Sequence, residues 1–194
     1  FAISQKQKSI KSLHEKAMIK GYHNLLEVST RSPELIGQRL SAFSLEIDTK
    51  TYGKISVECA FQGSKVFEGN IQYNEIYSKT SLEAKKFHKL NPSGKLIGFK
   101  FEEEEWELEP KSAFYDWLYI KALHPHKDYL KKLFKYDAFT DIEFNPSKSI
   151  NCQARTCAII ISLLKRDLYD EVMSSKENFI DIIYKKQFKQ GTLI

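Results

Sequence analysis

The sequence is poor in cysteine: only Cys59, Cys152 and Cys157 occur in 194 residues. An odd number without paired spacing argues against a disulfide framework, and a reducing, cytoplasmic setting is expected. There is no C-x-x-C pair, and His124-Pro125-His126 stands alone, so no metal-ligand constellation is apparent and no cofactor is expected. No apolar run approaches the roughly 20 residues that a membrane-spanning helix needs, and no signal-peptide pattern is visible, so no membrane partner is expected. The chain opens on Phe1 rather than Met, and residues preceding it are expected in the natural protein. Internal repeats and low-complexity linkers are lacking, which leaves a single domain over 1–194, long enough to bury a sizeable core. A strong charge bias is lacking too. The net charge of +5 permits an anionic ligand or transient nucleic-acid contact without demanding either.

Aromatic residues are plentiful, with 10 Tyr and 13 Phe, a supply that fills cores and also stacks on nucleobases. Residues 5–20 place Ile10, Leu13 and Ala17 at helical spacing among lysines, and Gly21 is a suitable stop. Leu25-Leu26-Glu27-Val28 reads as a short buried strand. In the polar loop Ser29-Thr30-Arg31-Ser32-Pro33, Ser32 suits an N-cap and Pro33 the first position of a helix that turns Leu35, Ile36 and Leu40 inward. Arg31 is ordinarily a surface residue in such a loop. A strand-to-helix loop also presents N–H groups to phosphate, which makes Arg31 and Ser32 candidates for an anion clamp. Leu45-Glu46-Ile47 and Lys54-Ile55-Ser56 alternate around a loop containing Gly53, as a hairpin does.

Thr80 or Ser81 caps a short helix over 81–89, and Asn91-Pro92-Ser93-Gly94 is a turn. Residues 95–101 read as a strand that returns over 106–109. The Glu102–Glu105 run between them is a solvated turn rather than an acid pair, because adjacent turn residues diverge. Pro110 opens a helix to Leu123 with Phe114, Trp117, Leu118 and Ala122 inward. Pro125 breaks it, and a second helix covers about 126–135. Residues 136–146 are aromatic and acidic, and no regular helix fits them. Asp141, Glu143 and Asn145 among Tyr and Phe suit a base-stacking, hydroxyl-binding pocket as well as an aromatic loop packed on a core. Ser147 or Ser149 caps the next helix, apolar enough through Ala154, Cys157, Ala158, Ile160, Ile161, Leu163 and Leu164 to be central. Asn151, Gln153 and Arg155 lie at its polar start, where a ligand can be held. A last helix covers 168–188. The count is six or seven helices with short β-hairpins: an α+β, predominantly α fold.

The stretch from Ser56 to Phe67 has the pattern of a buried helix capped by Ser56, yet it contains Glu58, Gln62 and Lys65. At about 100° per residue these three share one face. Spacing alone favours a solvated edge, since Glu/Lys pairs commonly decorate helix surfaces. The surrounding sequence favours a pocket wall instead. Leu40-Ser41-Ala42-Phe43, a hairpin, then Ser56-Val57-Glu58, Gln62 and Lys65 resemble the NADAR family pattern L-S-x-F, hairpin, S-V-E-x-x-x-Q-x-x-K. Ser81-Leu82-Glu83-Ala84-Lys85-Lys86 is similar to the family's next short helix, and residues 119–146 resemble its closing elements. The resemblance covers about 25–166, with 1–24 as a helical extension. The chain departs from the family where an acidic-x-x-Trp-Gly-x-Gly loop is usual: it has residues 145–155, Asn145 through Arg155, instead. The opening Ser4–His14 and the block Phe61–Phe67 look like NADAR antitoxins encoded beside DarT-type ADP-ribosyltransferase toxins.

That resemblance implies a hydrolase, a glycosidase that removes ADP-ribose from guanine bases of nucleic acid, with a DarT-type toxin as the cognate partner and ADP-ribose as product. The alternatives it implies are an N-glycosidase acting on a riboflavin-pathway intermediate and a non-catalytic antitoxin that binds ADP-ribose or the toxin. Cleavage at an anomeric carbon needs support for an oxocarbenium-like transition state. Glu58 would activate water while Lys65 neutralises charge, or Lys65 would form a Schiff base with the opened ribose. Gln62 would position hydroxyls, and Asp141, Glu143 and Asn145 are further candidates for ribose contact or acid–base work. Arg31 and Ser32 would hold the diphosphate, with Phe43 and Asn151 as additional substrate contacts. Trp117 or Tyr115 would stack on a base, although its register puts Trp117 with the core.

Overall fold

The computed structural model describes residues 3–90, 93–147 and 149–185. Asn91 and Pro92 of the expected turn, and residues 186–188 of the expected last helix, lie outside them. The fold is α+β and predominantly α, built around one helix, α5 (Ala113–Leu123). Every residue of α5 except Lys121 is buried. A helix apolar all round belongs in the middle of a core.

The sequence pattern gives α5 only one inward face and makes the later apolar helix the central one. The roles are reversed. Helix α7 (Gln153–Lys165) buries one side through Thr156, Cys157, Ile160 and Leu163 and leaves Ala158 and Ser162 exposed. The polar groups of α5 disguise its burial, because they are satisfied internally rather than by water. The Tyr119 hydroxyl donates to the Leu40 carbonyl and lies 3.4 Å from Cys157 Sγ. Trp117 packs against Trp106 with ring centres 5.1 Å apart, and Phe114 against Phe99 at 4.7 Å. Each such pair contributes about 0.5–1.5 kcal/mol beyond its buried area.

Three small sheets are formed among the described residues. Strands β2 (Glu46–Thr49) and β3 (Gly53–Ser56) form the expected hairpin, with Gly53 at φ 67° in a turn that L side chains adopt poorly. Strands β4 (Lys65–Phe67), β5 (Leu96–Phe101) and β6 (Glu104–Trp106) form an antiparallel sheet. The returning strand therefore starts and ends earlier than 106–109, because the tight turn needs only Glu102 and Glu103, with Glu102 at φ 53°. Strand β1 (Leu25–Glu27) pairs in parallel with β7 (Ala138–Thr140), inside the segment that reads only as a non-helical loop. Three residues are too few to display a strand alternation, so β4 and β7 are invisible in the pattern and exist through their partners.

Helix α1 (Ile3–Ile19) closes at Gly21 in a Schellman arrangement, with the Gly21 N–H donating to Met18 and that of Tyr22 to Ala17. It is attached to the rest: His14 Nε2 lies 2.9 Å from Thr140 Oγ1, and Lys6 pairs with Glu143 at 3.4 Å. Helix α2 (Leu35–Arg39) starts later than Ser32-Pro33 suggests. Ser32 Oγ accepts from the Glu34 N–H at 3.2 Å, so Ser32 shapes the loop, Glu34 is the N-cap, and Leu35 faces solvent. Gly37 lets this helix approach β1, since an added Cβ would sit 2.0 Å from the Glu27 carbonyl oxygen.

Helix α3 (Val57–Gly63) begins at the expected cap, with Ser56 Oγ accepting from the Cys59 N–H at 3.1 Å. It ends well before Phe67. Ser64 Oγ turns back to the Ala60 carbonyl at 2.6 Å, and Gly63 packs so closely on Tyr77 that a Cβ would lie 2.5 Å from the ring. Lys65 is consequently the first residue of β4 rather than a helical position. Gly69 and Asn70, at φ 78° and 59°, form the turn after that strand and do not terminate a helix.

Helix α4 (Ser81–Lys85) is capped by Thr80 in a capping box with Glu83, and single 3₁₀ turn His88–Leu90 replaces its expected last residues. Helix α5 starts at Ala113 rather than Pro110, after Ser112 at φ 72°. Helix α6 (Lys127–Leu130) passes into a 3₁₀ stretch, Lys131–Lys135, instead of continuing. The N-cap of α7 is Cys152. Ser147 Oγ instead donates to Asn145 Oδ1, and Ser149 Oγ to the Asn151 carbonyl. The expected last helix is broken into α8 (Tyr169–Met173), α9 (Lys176–Ile180) and a π turn, Asp181–Lys185, with Ser175 capping α9. No helix among the described residues is long and apolar enough to cross a membrane.

Candidate functional site

A cleft of about 1180 Å³ opens beside α3, between the end of α4, the segment after β6 and the loop after β7. It exceeds the roughly 300–1,000 Å³ of common small-molecule pockets, so a ligand of dinucleotide size fits. Its lining includes Arg31, Phe43, Glu58, Phe61, Gln62, Lys65, Lys85, Tyr115, Asp141, Glu143, Asn145, Asn151 and Gln153.

Its floor rests on Leu40–Phe43, whose backbone is held from all sides. Tyr119 caps the Leu40 carbonyl, and the Ala42 N–H donates to Gln153 Oε1 at 2.6 Å. The Ala42 carbonyl accepts from the Glu58 N–H at 3.2 Å. Ser81 Oγ donates to the Phe43 carbonyl at 3.1 Å and lies 2.8 Å from Ser56 Oγ, whose hydroxyl can donate to it. One hydroxyl thereby joins the hairpin, α3, α4 and the Phe43 turn. This is a physical reason for Leu-Ser-Ala-Phe, Ser56-Val57-Glu58 and Ser81 to occur together: they form one hydrogen-bonded corner.

Glu58 stands on that corner and is only 8% exposed. Gln62, one turn further on, donates Nε2–H to Glu58 Oε1 at 3.0 Å. Burial pushes the Glu58 carboxyl above its ordinary value, against the Gln62 hydrogen bond and the nearby Lys85 and Lys65 ammoniums. Lys65 comes from β4. Burial pulls its ammonium below the ordinary value, and Glu58 opposes that shift. Its Nζ lies 5.3 Å from the centre of the Phe61 ring, and Lys85 Nζ lies 5.1 Å from that of Phe43. The site therefore holds a desolvated acid and a desolvated amine, each displaced toward neutrality.

The acidic loop supplies the opposite wall. Asp141 Oδ2 accepts from both the backbone and side chain of Gln153, at 3.3 and 3.2 Å, and Oδ1 from the Glu143 N–H at 3.0 Å. Burial raises the Asp141 carboxyl despite these bonds. Behind it Glu27, 1% exposed, accepts from the Thr140 hydroxyl at 2.6 Å and the Ile142 N–H at 2.8 Å. Gln153 thus bridges the acidic loop and the Leu40–Phe43 corner.

Over residues 1–192 the sequence matches the family model described as DarT1-associated NADAR antitoxin. The chain belongs to this NADAR antitoxin family. No curated protein matches it.

In this NADAR antitoxin, Glu58, Gln62, Lys65, Phe43, Arg31, Asp141, Glu143, Asn145 and Asn151 are brought to one cleft, although they span four separate stretches of sequence. Ser32 and Trp117 are not. Ser32 is buried under α2, and Trp117 lies in the aromatic core against Trp106. Of Trp117 and Tyr115, it is Tyr115, on the opposite flank of α5, that lines the cleft, edge-on to Phe61 at 5.4 Å. Arg155, at the polar start of α7, turns away to pair with Asp116. Glu27, Lys85 and Phe61 are missed by sequence spacing. A lone carboxylate inside the apolar run Leu25–Val28 was the available signal for Glu27. Lys85 and Phe61 carry none, because surface lysines and core phenylalanines look the same. Five cationic and five acidic side chains line the cleft, so it is no general anion trap. Among the described residues no group of three or more His, Cys, Asp or Glu is placed to hold a metal ion.

Proposed function

We propose that this antitoxin is an ADP-ribosyl hydrolase that frees guanine bases of nucleic acid from ADP-ribose attached by a DarT-type toxin, acting in the cytoplasm. The observation that carries this reading is the convergence of buried Glu58, held by Gln62, and half-buried Lys65 on one cleft wide enough for ADP-ribose. Hydrolysis of an N-glycosidic bond needs a base for water and an acid for the departing nitrogen. Ionised Glu58 takes a proton from the water that attacks the anomeric carbon. The carbon–nitrogen bond breaks, and the Lys65 ammonium protonates the leaving guanine nitrogen. Transfer of the proton from Glu58 to Lys65 restores both groups. The raised carboxyl and lowered ammonium suit this exchange, since their proton affinities lie closer together than in water. Gln62 and Asp141 orient ribose hydroxyls, Tyr115 and Phe43 flank the base, and Arg31 holds the diphosphate.

The depressed proton affinity of Lys65 also favours a second reading, in which the free amine attacks the opened ribose and forms a Schiff base. Borohydride during turnover would then leave a covalent adduct on Lys65, and direct hydrolysis leaves none. The function itself is tested with an oligonucleotide carrying ADP-ribosylated guanine. Free ADP-ribose and unmodified guanine are expected by mass spectrometry. Stoichiometric ADP-ribose binding without product would make the protein a binding module. Toxin neutralisation that survives Glu58→Ala with Lys65→Ala would make it act by protein contact alone.

A further inference from the structure

A second cleft of about 630 Å³ adjoins the first, with Phe43 lining both. It lies between the tip of the β2–β3 hairpin and the segment from Tyr77 to Ser81. Its ionisable charges are the ammoniums of Lys54 and Lys79 against the carboxylate of Glu46, a balance of one positive charge. Its aromatic wall is Tyr52 over Tyr77, ring centres 4.7 Å apart and tilted by 42°. Tyr52 is 39% exposed. Tyr77 is buried and its hydroxyl is fixed by Ser64 at 3.2 Å and Gln72 at 3.3 Å, so Tyr52 rests on a rigid base and offers its other side to solvent. Thr51 and Ser78 add exposed hydroxyls. At the ridge between the clefts Lys85 stands over Phe43, and Lys79 Nζ lies 5.4 Å from the Phe87 ring. Nothing in the proposed hydrolysis uses Tyr52, Lys54 or Lys79.

We infer that this second cleft binds the nucleotide next to the modified guanine in a single strand: its base stacks on Tyr52, the one intervening phosphate lies at Lys85, and the following phosphate runs toward Lys79 and Lys54. An open aromatic face with lysines spaced along a groove is the combination that takes single-stranded nucleic acid without reading its sequence. A duplex would keep the neighbouring base stacked in the helix and unavailable to Tyr52, so the site favours an unpaired strand. Phosphate contacts through lysine make the binding salt-dependent. Glu46, on the hairpin strand, confines a phosphate to the lysine side. The inference rests on the hydrolase reading for its choice of strand, but it has a readout of its own.

That readout is fluorescence anisotropy with unmodified single-stranded DNA and RNA oligonucleotides, which needs no turnover. Tyr52→Ala is expected to weaken binding of at least one of the two about tenfold, and Lys54→Ala with Lys79→Ala to flatten its salt dependence. Tyr52→Phe, which keeps the ring, should restore wild-type binding and separates stacking from a folding defect. In turnover, Tyr52→Ala should raise KM for a modified oligonucleotide about tenfold and leave a modified guanosine monomer unaffected. Equal binding by wild type and Tyr52→Ala, or equal loss on oligonucleotide and monomer, would overturn the second cleft as a nucleotide site. Tyr52-dependent strand binding without any release of ADP-ribose would uphold the site and overturn the hydrolase reading.

Discussion

Two carboxylates are buried on neighbouring helices, and their surroundings separate structure from chemistry. Asp116 of α5 is fully buried and accepts hydrogen bonds from Arg155, Thr156 and Tyr184. Glu58 of α3 is nearly as buried, yet its one side-chain hydrogen bond among the described residues comes from Gln62, and it faces a cleft. Burial raises the proton affinity of both carboxyls. Three donors engage both oxygens of Asp116 and join α5, α7 and the C-terminal π turn. Glu58 keeps Oε2 for a ligand or a water. Saturation, rather than burial or an altered proton affinity, distinguishes a fastener from a reactive group.

The sharpest test of this contrast is to exchange the two kinds of loss. Glu58→Gln should lower the rate of ADP-ribose release by about 10²- to 10⁴-fold, the range for losing a general base, while Tm moves by less than about 4 °C. Asp116→Ala should do the reverse. It strands Arg155 and Tyr184, and because Arg155 keeps some solvent the cost is about 3 kcal/mol, the low end for a broken buried pair. For a chain of this length that lowers Tm by about 6–12 °C in thermal unfolding, with the folded fraction at low temperature still active. A smaller effect is expected at the bridge between loop and corner. Gln153→Ala removes acceptor and donor from Ala42 and Asp141, and should reduce kcat/KM by about tenfold, consistent with about 1.4 kcal/mol of lost positioning.

The pH profile separates direct hydrolysis from the Schiff-base route. Activity in direct hydrolysis needs Glu58 ionised and Lys65 protonated. The acid limb should therefore lie above the ordinary Glu value of 4.5 and the alkaline limb below the ordinary Lys value of 10.5, giving a narrow bell in kcat/KM. A Schiff-base route needs neutral Lys65, and its rate would instead climb through the lysine ionisation without an alkaline fall.

The hairpin, the Ser56 cap, the Thr80 cap and the shared face of Glu58 and Gln62 were all legible in the sequence, because each depends on residues a few positions apart. The fate of Lys65 was not. It shares the helical phase of Glu58 by count, but Gly63 against Tyr77 and the pairing of β4 with β5 end the helix before it. The chain still delivers Lys65 to the same cleft, so the grouping holds and its geometric reason changes. The all-round burial of α5 was hidden for a related cause. Asp116 and Tyr119 read as a solvent face until their partners, 40 residues away in α7 and 79 residues away at Leu40, are known. Long-range satisfaction of polar groups leaves no local trace.

In the proposed hydrolysis Glu58 performs the chemistry of this cleft and does not merely fasten it. The most direct measurement is single-turnover release of ADP-ribose from ADP-ribosylated guanine by wild type and Glu58→Gln, with ADP-ribose affinity measured by calorimetry on the same samples. The predicted result is near-equal affinity with release slowed at least a hundredfold. Release by Glu58→Gln at the wild-type rate would contradict it.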